Sequence, residues 1–309
     1  MLVYRVDDFV KFLRYEYMSR KGRVTNRGLY KALQTDIDHG PGPVRSYLER
    51  LEKALQRYVA LREPDDASWS SQAIEVKDSL LAFRRFGFEA STPLLLAAFA
   101  TWSHSNATRF VDVVASWSVR AWMAGTLGGG VAESAFCDAA VAVAQKKAKT
   151  ADDARSHMKD LVPDDAAFRS AFTGHGAITT TRAKYLLARL ERQHLCDLGQ
   201  QTDAMPDWSS KGVSVEHILA RSSKRSTFDS DEDFEQFSLI RDQLQNLTLL
   251  ERTLNGGLED KPFQKKADTY GQSAFVLTRD LKNHCAWTFA EANTRAELLA
   301  SLAVKAWPR

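Results

Sequence analysis

The chain has 309 residues, of which 44% are hydrophobic and 26% charged, and its formal net charge at pH 7 is +3. This composition excludes a disordered tail and is typical of a soluble globular protein with one or two substantial cores. The slight positive charge is compatible with nucleic acid as a partner without indicating it, and the few, widely spaced cysteines predict neither a disulfide framework nor structural zinc.

Helical periodicity dominates the first 200 residues. Apolar side chains recur at helical spacing in residues 9–17 and 48–59, and Thr92-Pro93 is typical of a helix start. The beginning of the chain lacks the pattern of a signal peptide, and the longest apolar stretch, residues 93–102, is too short to cross a bilayer. We therefore predict a helical connector or scaffold domain, residues 1–200, in a cytoplasmic protein without a membrane partner.

A second domain is predicted over residues 201–309. Its first segment, residues 201–210, has the composition of a linker and places the predicted boundary near residue 200. Its last segment, residues 290–306, has apolar positions at helical spacing. We expect that final helix to pack back on the domain.

Two short strands are predicted inside this second domain. Residues 213–218 alternate apolar and polar side chains, as in a half-buried strand whose end presents Glu216 and His217. Residues 247–250 form another short apolar run, directly after Asn246. A hairpin made of the two strands would bring Asn246 back to His217.

A helix is predicted after the second strand. Asn255 precedes a pair of glycines that ends the strand segment, and residues 259–270 have the composition of a helix. Two neighbouring lysines of this helix, Lys265 and Lys266, are candidate contacts to phosphate or DNA, and a solvated helix face explains them equally well. The order of elements is strand, loop, strand, helix.

Four polar side chains in this arrangement suit phosphodiester hydrolysis. The oxygen atoms of Glu216 and Asn255 can hold one hard divalent cation, Mg²⁺ or Mn²⁺, with water in the remaining positions. Imidazole suits proton removal from water near neutral pH, so His217 fits the role of general base. Asn246 is placed to shape the loop that carries the base. The pattern predicts DNA or RNA as the substrate.

The same residues carry a family resemblance. Its elements are Glu216-His217-Ile218, the run from Asn246 to Leu250, Asn255, and a tail with Phe263, Lys265-Lys266, Tyr270 and Ser273. They resemble the C-terminal nuclease domain of GmrSD-type restriction endonucleases. The resemblance implies a mainly α chain, in which a helical domain precedes a small α+β ββα-metal nuclease domain of the His-Asn-His type. It also implies that His217 and Asn246 are catalytic and that Glu216 and Asn255 bind the metal.

The resemblance extends, more diffusely, into the helical part. Residues 9–30 and 83–144 are similar to the region that joins an N-terminal nucleotide-dependent sensor to the nuclease, including in SspE-type effectors that restrict phage DNA. This chain carries no Gly-x-x-x-x-Gly-Lys phosphate loop. We therefore expect the sensor to be a domain or partner protein absent from this chain, and we expect no nucleotide hydrolysis from the chain alone.

The sequence thus favours a metal-dependent endonuclease of a bacterial restriction system, which nicks or cleaves DNA. Two alternatives stay open. The chain can be a helical interaction module of a larger effector that keeps an inactive nuclease fold as a platform, or it can be an RNase that uses the same site. The site chemistry treats both backbones alike, so discrimination would come from groove shape and the 2′-hydroxyl.

Overall fold

The computed structural model describes residues 6–37, 40–70, 72, 74–128, 130–158, 160–203, 205–228, 230–258 and 261–309. The chain forms two compact units, one that extends to Asp164 and one that spans Asp165–Pro308. In the described part of the chain, no helix combines the length and the apolar character that crossing a membrane requires.

The first unit is built from helices around an apolar centre. The helices are α1 (Val6–Lys21), α2 (Asn26–Asp36), α3 (Pro41–Arg62), α4 (Ile74–Phe86), α5 (Thr92–Thr101), α6 (His104–Met123), α7 (Val131–Ala144) and α8 (Ala151–Ser156). Helix α5 is apolar on every side and buried along most of its length, and it packs against α1, α3, α6 and α7. A helix without a polar face is stable only at the centre of a core.

A carboxylate on α7 joins two arginines from the start of the chain. Glu133 accepts a hydrogen bond from Arg14 on α1 at 2.5 Å and another from Arg23 at 2.8 Å. Partial burial acts to raise the pKa of Glu133, but the two arginines outweigh it and hold the pKa below its usual value. This ion pair therefore ties α7 to α1 and the turn that follows it.

The second unit combines helices with the two predicted strands. Its elements are α9 (Asp165–Thr173), α10 (Thr180–Asp197), β1 (Val213–His217), α11 (Asp231–Ile240), β2 (Leu247–Glu251), α12 (Arg252–Asn255), α13 (Phe263–Tyr270), α14 (Val276–Arg279) and α15 (Phe289–Ala306). A small antiparallel sheet inside a largely helical chain confirms the predicted mainly α fold class.

The predicted boundary near residue 200 falls inside this second unit. Helices α9 and α10 pack against α15, and α10 also contacts both strands. Glu191 on α10 is buried and accepts hydrogen bonds from the backbone N–H groups of Val276 and Leu277, at 2.5 and 2.9 Å, at the start of α14. The segment predicted as a linker also packs down, because Trp208 is buried with its ring 6.0 Å from that of Tyr185 on α10.

The two strands pair as the sequence predicts. Val213 lies opposite Glu251 and His217 lies opposite Leu247, so the strand ends meet in register. Helix α13 begins at Phe263, later than the predicted start, and residues 259 and 260 lie outside the described residues. The predicted final helix is α15, which packs back on α9 and α10.

Candidate functional site

The end of β1 presents two functional candidates in opposite directions. Side chains alternate along a strand, so Glu216 lies on the face that packs against α13 and His217 lies on the other face. Directly after them, the N–H group of Ile218 donates a hydrogen bond to the carbonyl of Asn246 at 2.9 Å. The pairing thus brings Asn246 to the strand end, next to both side chains.

His217 is held by a carboxylate from the loop before β2. Its Nε2 lies 3.1 Å from Oδ1 of Asp242, and the Nε of Arg221 lies at the same distance from that oxygen. Partial burial acts to raise the pKa of Asp242, but the hydrogen bond with His217 and the charges of Arg221 and Arg241 outweigh it and lower the pKa. Asp242 therefore stays ionised and faces Nε2 of His217, so Nδ1 is the ring nitrogen that does not contact this carboxylate.

The side chain of Asn246 is fully buried and braces the turn that follows His217. Its Nδ2 donates to the carbonyls of Leu219 and Arg241, at 3.1 and 3.0 Å. Its Oδ1 accepts from the N–H of Leu219 at 3.0 Å and from Nε1 of Trp287 at 3.2 Å. These four hydrogen bonds use both donors and both lone pairs of the amide, so Asn246 positions the turn and has no group left for a substrate.

Lys266 does not have the position expected of a phosphate contact. Its side chain is 0% exposed, and its Nζ donates to Oε1 of Glu216 at 2.5 Å and to the carbonyl of His217 at 2.8 Å. An ammonium enclosed in this way balances the charge of Glu216, which is itself 5% exposed. The neighbouring Lys265 is exposed, so phosphate contact by Lys265 stays a prediction.

Asn255 and Tyr270 place two unpaired polar atoms beside the face that carries Glu216. Asn255 donates to Oγ of Ser214 at 2.9 Å, and Ser214 shares its strand face with Glu216. The Oδ1 of Asn255 is buried and has no hydrogen-bond partner among the described residues, and the same holds for the hydroxyl of Tyr270. Burial and the charge of Glu216 both raise the pKa of Tyr270, so it is a neutral phenol.

These donors fit a hard divalent cation better than a softer metal. The described residues contain no group of three or more His, Cys, Asp and Glu side chains arranged to hold a metal. Glu216 and the unpaired amide oxygen of Asn255 carry oxygen atoms of the kind that magnesium takes, typically one or two with several waters, so these two residues stay the predicted ligands. The buried oxygen of Asn255 lacks a partner that a cation or an ordered water would provide.

Several exposed basic side chains lie in the sequence segments that form and flank the two strands. The exposed basic side chains of this part of the chain are those of Lys211, Arg221, Lys224, Arg252, Lys261 and Lys265. Arg221 is 67% exposed although it contacts Asp242, so its guanidinium can reach both the His217 carboxylate partner and a bound anion. Such cations contact phosphate without reading sequence.

Sequence reasoning missed Asp242 and gave Lys266 a different role, that of a phosphate contact. The sequence does contain a signal for Lys266, since Phe263, Lys266, Ala267 and Tyr270 are spaced as one helix face and all four are buried. Asp242 has no such signal, because its contact with His217 spans 25 positions and depends on the path of the loop.

Residues 162–302 match the family model of the C-terminal domain of GmrSD restriction endonucleases. The match covers both strands, α12 and α13, and it falls almost entirely within the second unit. No curated protein sequence matches the chain. The family resemblance is thereby confirmed for this part of the chain.

Proposed function

We propose that the chain is a metal-dependent DNA endonuclease of an anti-phage restriction system, starting from the match of residues 162–302 to the C-terminal domain of GmrSD restriction endonucleases. The observation that carries the proposal is the pair formed by His217 and Asp242 at the end of β1, 3.1 Å apart and next to a turn braced by Asn246. An imidazole held by a carboxylate in a basic surface suits hydrolysis of a phosphodiester.

His217 is the general base in this proposal. Its Nδ1 removes a proton from water, and the water oxygen forms a bond to phosphorus while the bond between phosphorus and the leaving oxygen breaks. Asp242 keeps the ring oriented and stabilises the imidazolium that forms. Asn246 holds the turn after His217, so it acts through position and not by contact with the reacting atoms.

Glu216 and Asn255 are the residues that would hold the divalent cation, Mg²⁺ or Mn²⁺. Bound there, it supplies Lewis-acid stabilisation of the negative charge on the leaving oxygen. Lys266 donates to Glu216 from inside the protein and fixes the carboxylate beside the cation. Exposed Lys265 and Arg221 attract the phosphate backbone, and an N-terminal sensor or partner protein controls access to DNA.

A plasmid assay tests this proposal. Supercoiled plasmid is incubated with the chain and magnesium, manganese or EDTA, and nicked and linear products are separated on a gel. We expect metal-dependent cleavage that His217→Ala abolishes. His194→Ala is the matched control, because His194 also pairs with a carboxylate of the same unit, with its Nε2 3.5 Å from Asp280. Cleavage that survives His217→Ala removes His217 as the base.

A parallel incubation with single-stranded RNA separates the two nuclease functions. Cleavage of RNA and not of plasmid would replace the DNA endonuclease by the RNase alternative. A folded protein that cleaves neither polymer in any metal, alone or with its sensor, would favour the scaffold alternative.

A further inference from the structure

An aromatic cavity lies next to the proposed cleavage site. It has a volume of about 290 Å³. Its lining includes two residues near the catalytic pair, since Leu219 is two positions after His217 and Ile240 is two positions before Asp242. Consecutive Cα atoms are about 3.8 Å apart, so two positions along the chain span less than about 8 Å. The lining of the cavity therefore comes within about 8 Å, measured between Cα atoms, of both members of the proposed catalytic pair.

Flat aromatic rings form two sides of this cavity. Phe228 stacks on Phe237, with ring centroids 5.1 Å apart and an angle of 29° between the planes. Phe263 lies against Trp287, with ring centroids 5.7 Å apart and an angle of 31°. Phe237, Phe263 and Trp287 are buried, whereas Phe228 is half-buried and accessible from the cavity. An accessible aromatic ring such as that of Phe228 can stack on a nucleobase.

The rim of the cavity is polar. Asp233, Gln264 and Thr288 complete the lining beside the rings. Asp233 accepts from Oγ of Ser230 through Oδ2 alone, so its Oδ1 is available to a ligand. A carboxylate repels phosphate and accepts a hydrogen bond from the exocyclic amino group of cytosine. The rim thus suits the edge of a base and not the backbone of the strand.

We propose that this cavity is a nucleobase subsite, which takes a base of the cleaved strand and prefers a base with an exocyclic amino group. The proposal rests on the function proposed above, because the base must belong to the polymer that His217 hydrolyses. A base reaches the cavity from a single strand directly, or from a duplex after extrusion from the stack. The subsite gives this endonuclease a contact with base identity close to the bond that it breaks.

Binding without turnover tests the subsite separately from catalysis. The full chain carrying His217→Ala is titrated into a fluorescent, single-stranded oligodeoxycytidine and into an abasic strand with the same backbone, at fixed salt, and binding is read by anisotropy. We expect the cytidine strand to bind about tenfold more tightly than the abasic strand, in the range expected for one stacked base. An oligothymidine should bind more weakly than the cytidine strand.

Two variants should remove that tenfold difference by different means. Ala286→Phe fills the cavity from its lining, and Phe228→Ala removes an accessible ring, while both leave affinity for the abasic strand unchanged. Phe234→Ala is the matched control, because the Phe234 ring packs on Phe228 at 5.5 Å and does not line the cavity. An equal cytidine preference in all three variants, or no preference in the parent, overturns the subsite. An intact cytidine preference, together with no plasmid cleavage by the chain that retains His217, would instead count against the proposed function alone.

Discussion

Asn246 is a residue whose loss should damage the site through structure alone. Asn246→Ala removes four hydrogen bonds and leaves two N–H groups without acceptors, those of Leu219 and of the buried Trp287 indole. An unsatisfied buried donor costs about 1 to 3 kcal/mol, and the half-buried turn at Leu219 lies at the lower end of that range. The two freed carbonyls add less, because water reaches the turn. We expect a destabilisation of about 2 to 4 kcal/mol.

The measurement must report on the second unit alone, since a chain of two compact units need not unfold in one step. Amide hydrogen exchange of peptides from β1 and β2 measures the free energy of unfolding of this unit. Asn255→Ala is the matched control, because Asn255 makes a single hydrogen bond and its loss should cost about 1 kcal/mol or less. Equal destabilisation by the two substitutions would refute the reasoning that Asn246 braces the turn. We also expect Asn246→Ala, the variant with faster hydrogen exchange in the turn, to cleave plasmid more slowly.

Three further predictions concern the charged side chains. Asp242→Asn should lower kcat by about tenfold to about a thousandfold with little change in KM. General-base catalysis contributes a rate factor of about 10² to 10⁴, and this substitution disturbs the orientation of the base. An unchanged kcat would remove Asp242 from the site. Lys266→Met should destabilise the second unit by about 3 to 5 kcal/mol in hydrogen exchange, because the substitution leaves a buried carboxylate uncompensated. Lys265→Met, on the exposed face, should change the stability of the unit by less than about 0.5 kcal/mol. Similar values for both substitutions would contradict the enclosed ion pair. Glu133→Gln should cost about 1 to 2 kcal/mol at pH 7 in urea unfolding of the first unit. Because the folded pKa of Glu133 is lowered, the difference should be fully present above the unfolded pKa of about 4.3 and should be lost as the pH falls through the lower folded pKa. A difference that persists in stronger acid would mean that packing and not charge is responsible.

The sequence determined the elements of the site because local patterns encode them. Alternation over residues 213–218 and the apolar run at 247–250 are properties of single strands, and each was found where it was predicted. The polar residues at the ends of these strands were found because each stands directly beside an apolar or alternating run, although Glu216 and Asn246 are both buried. The pairing of His217 with Leu247, beside Asn246, then follows from antiparallel register.

Only the tertiary structure decided which charged side chains are buried. Lys265 and Lys266 have the same side chain, and only the packing of α13 on β1 buries one of them against Glu216 and leaves the other exposed. The contact of α10 with both strands likewise depends on packing between segments far apart in the chain. Asp242 reaches His217 through the path of a loop that no periodic pattern describes. Local periodicity identifies a segment as a helix or a strand. Long-range contacts are set by the packing of segments that are far apart in the chain.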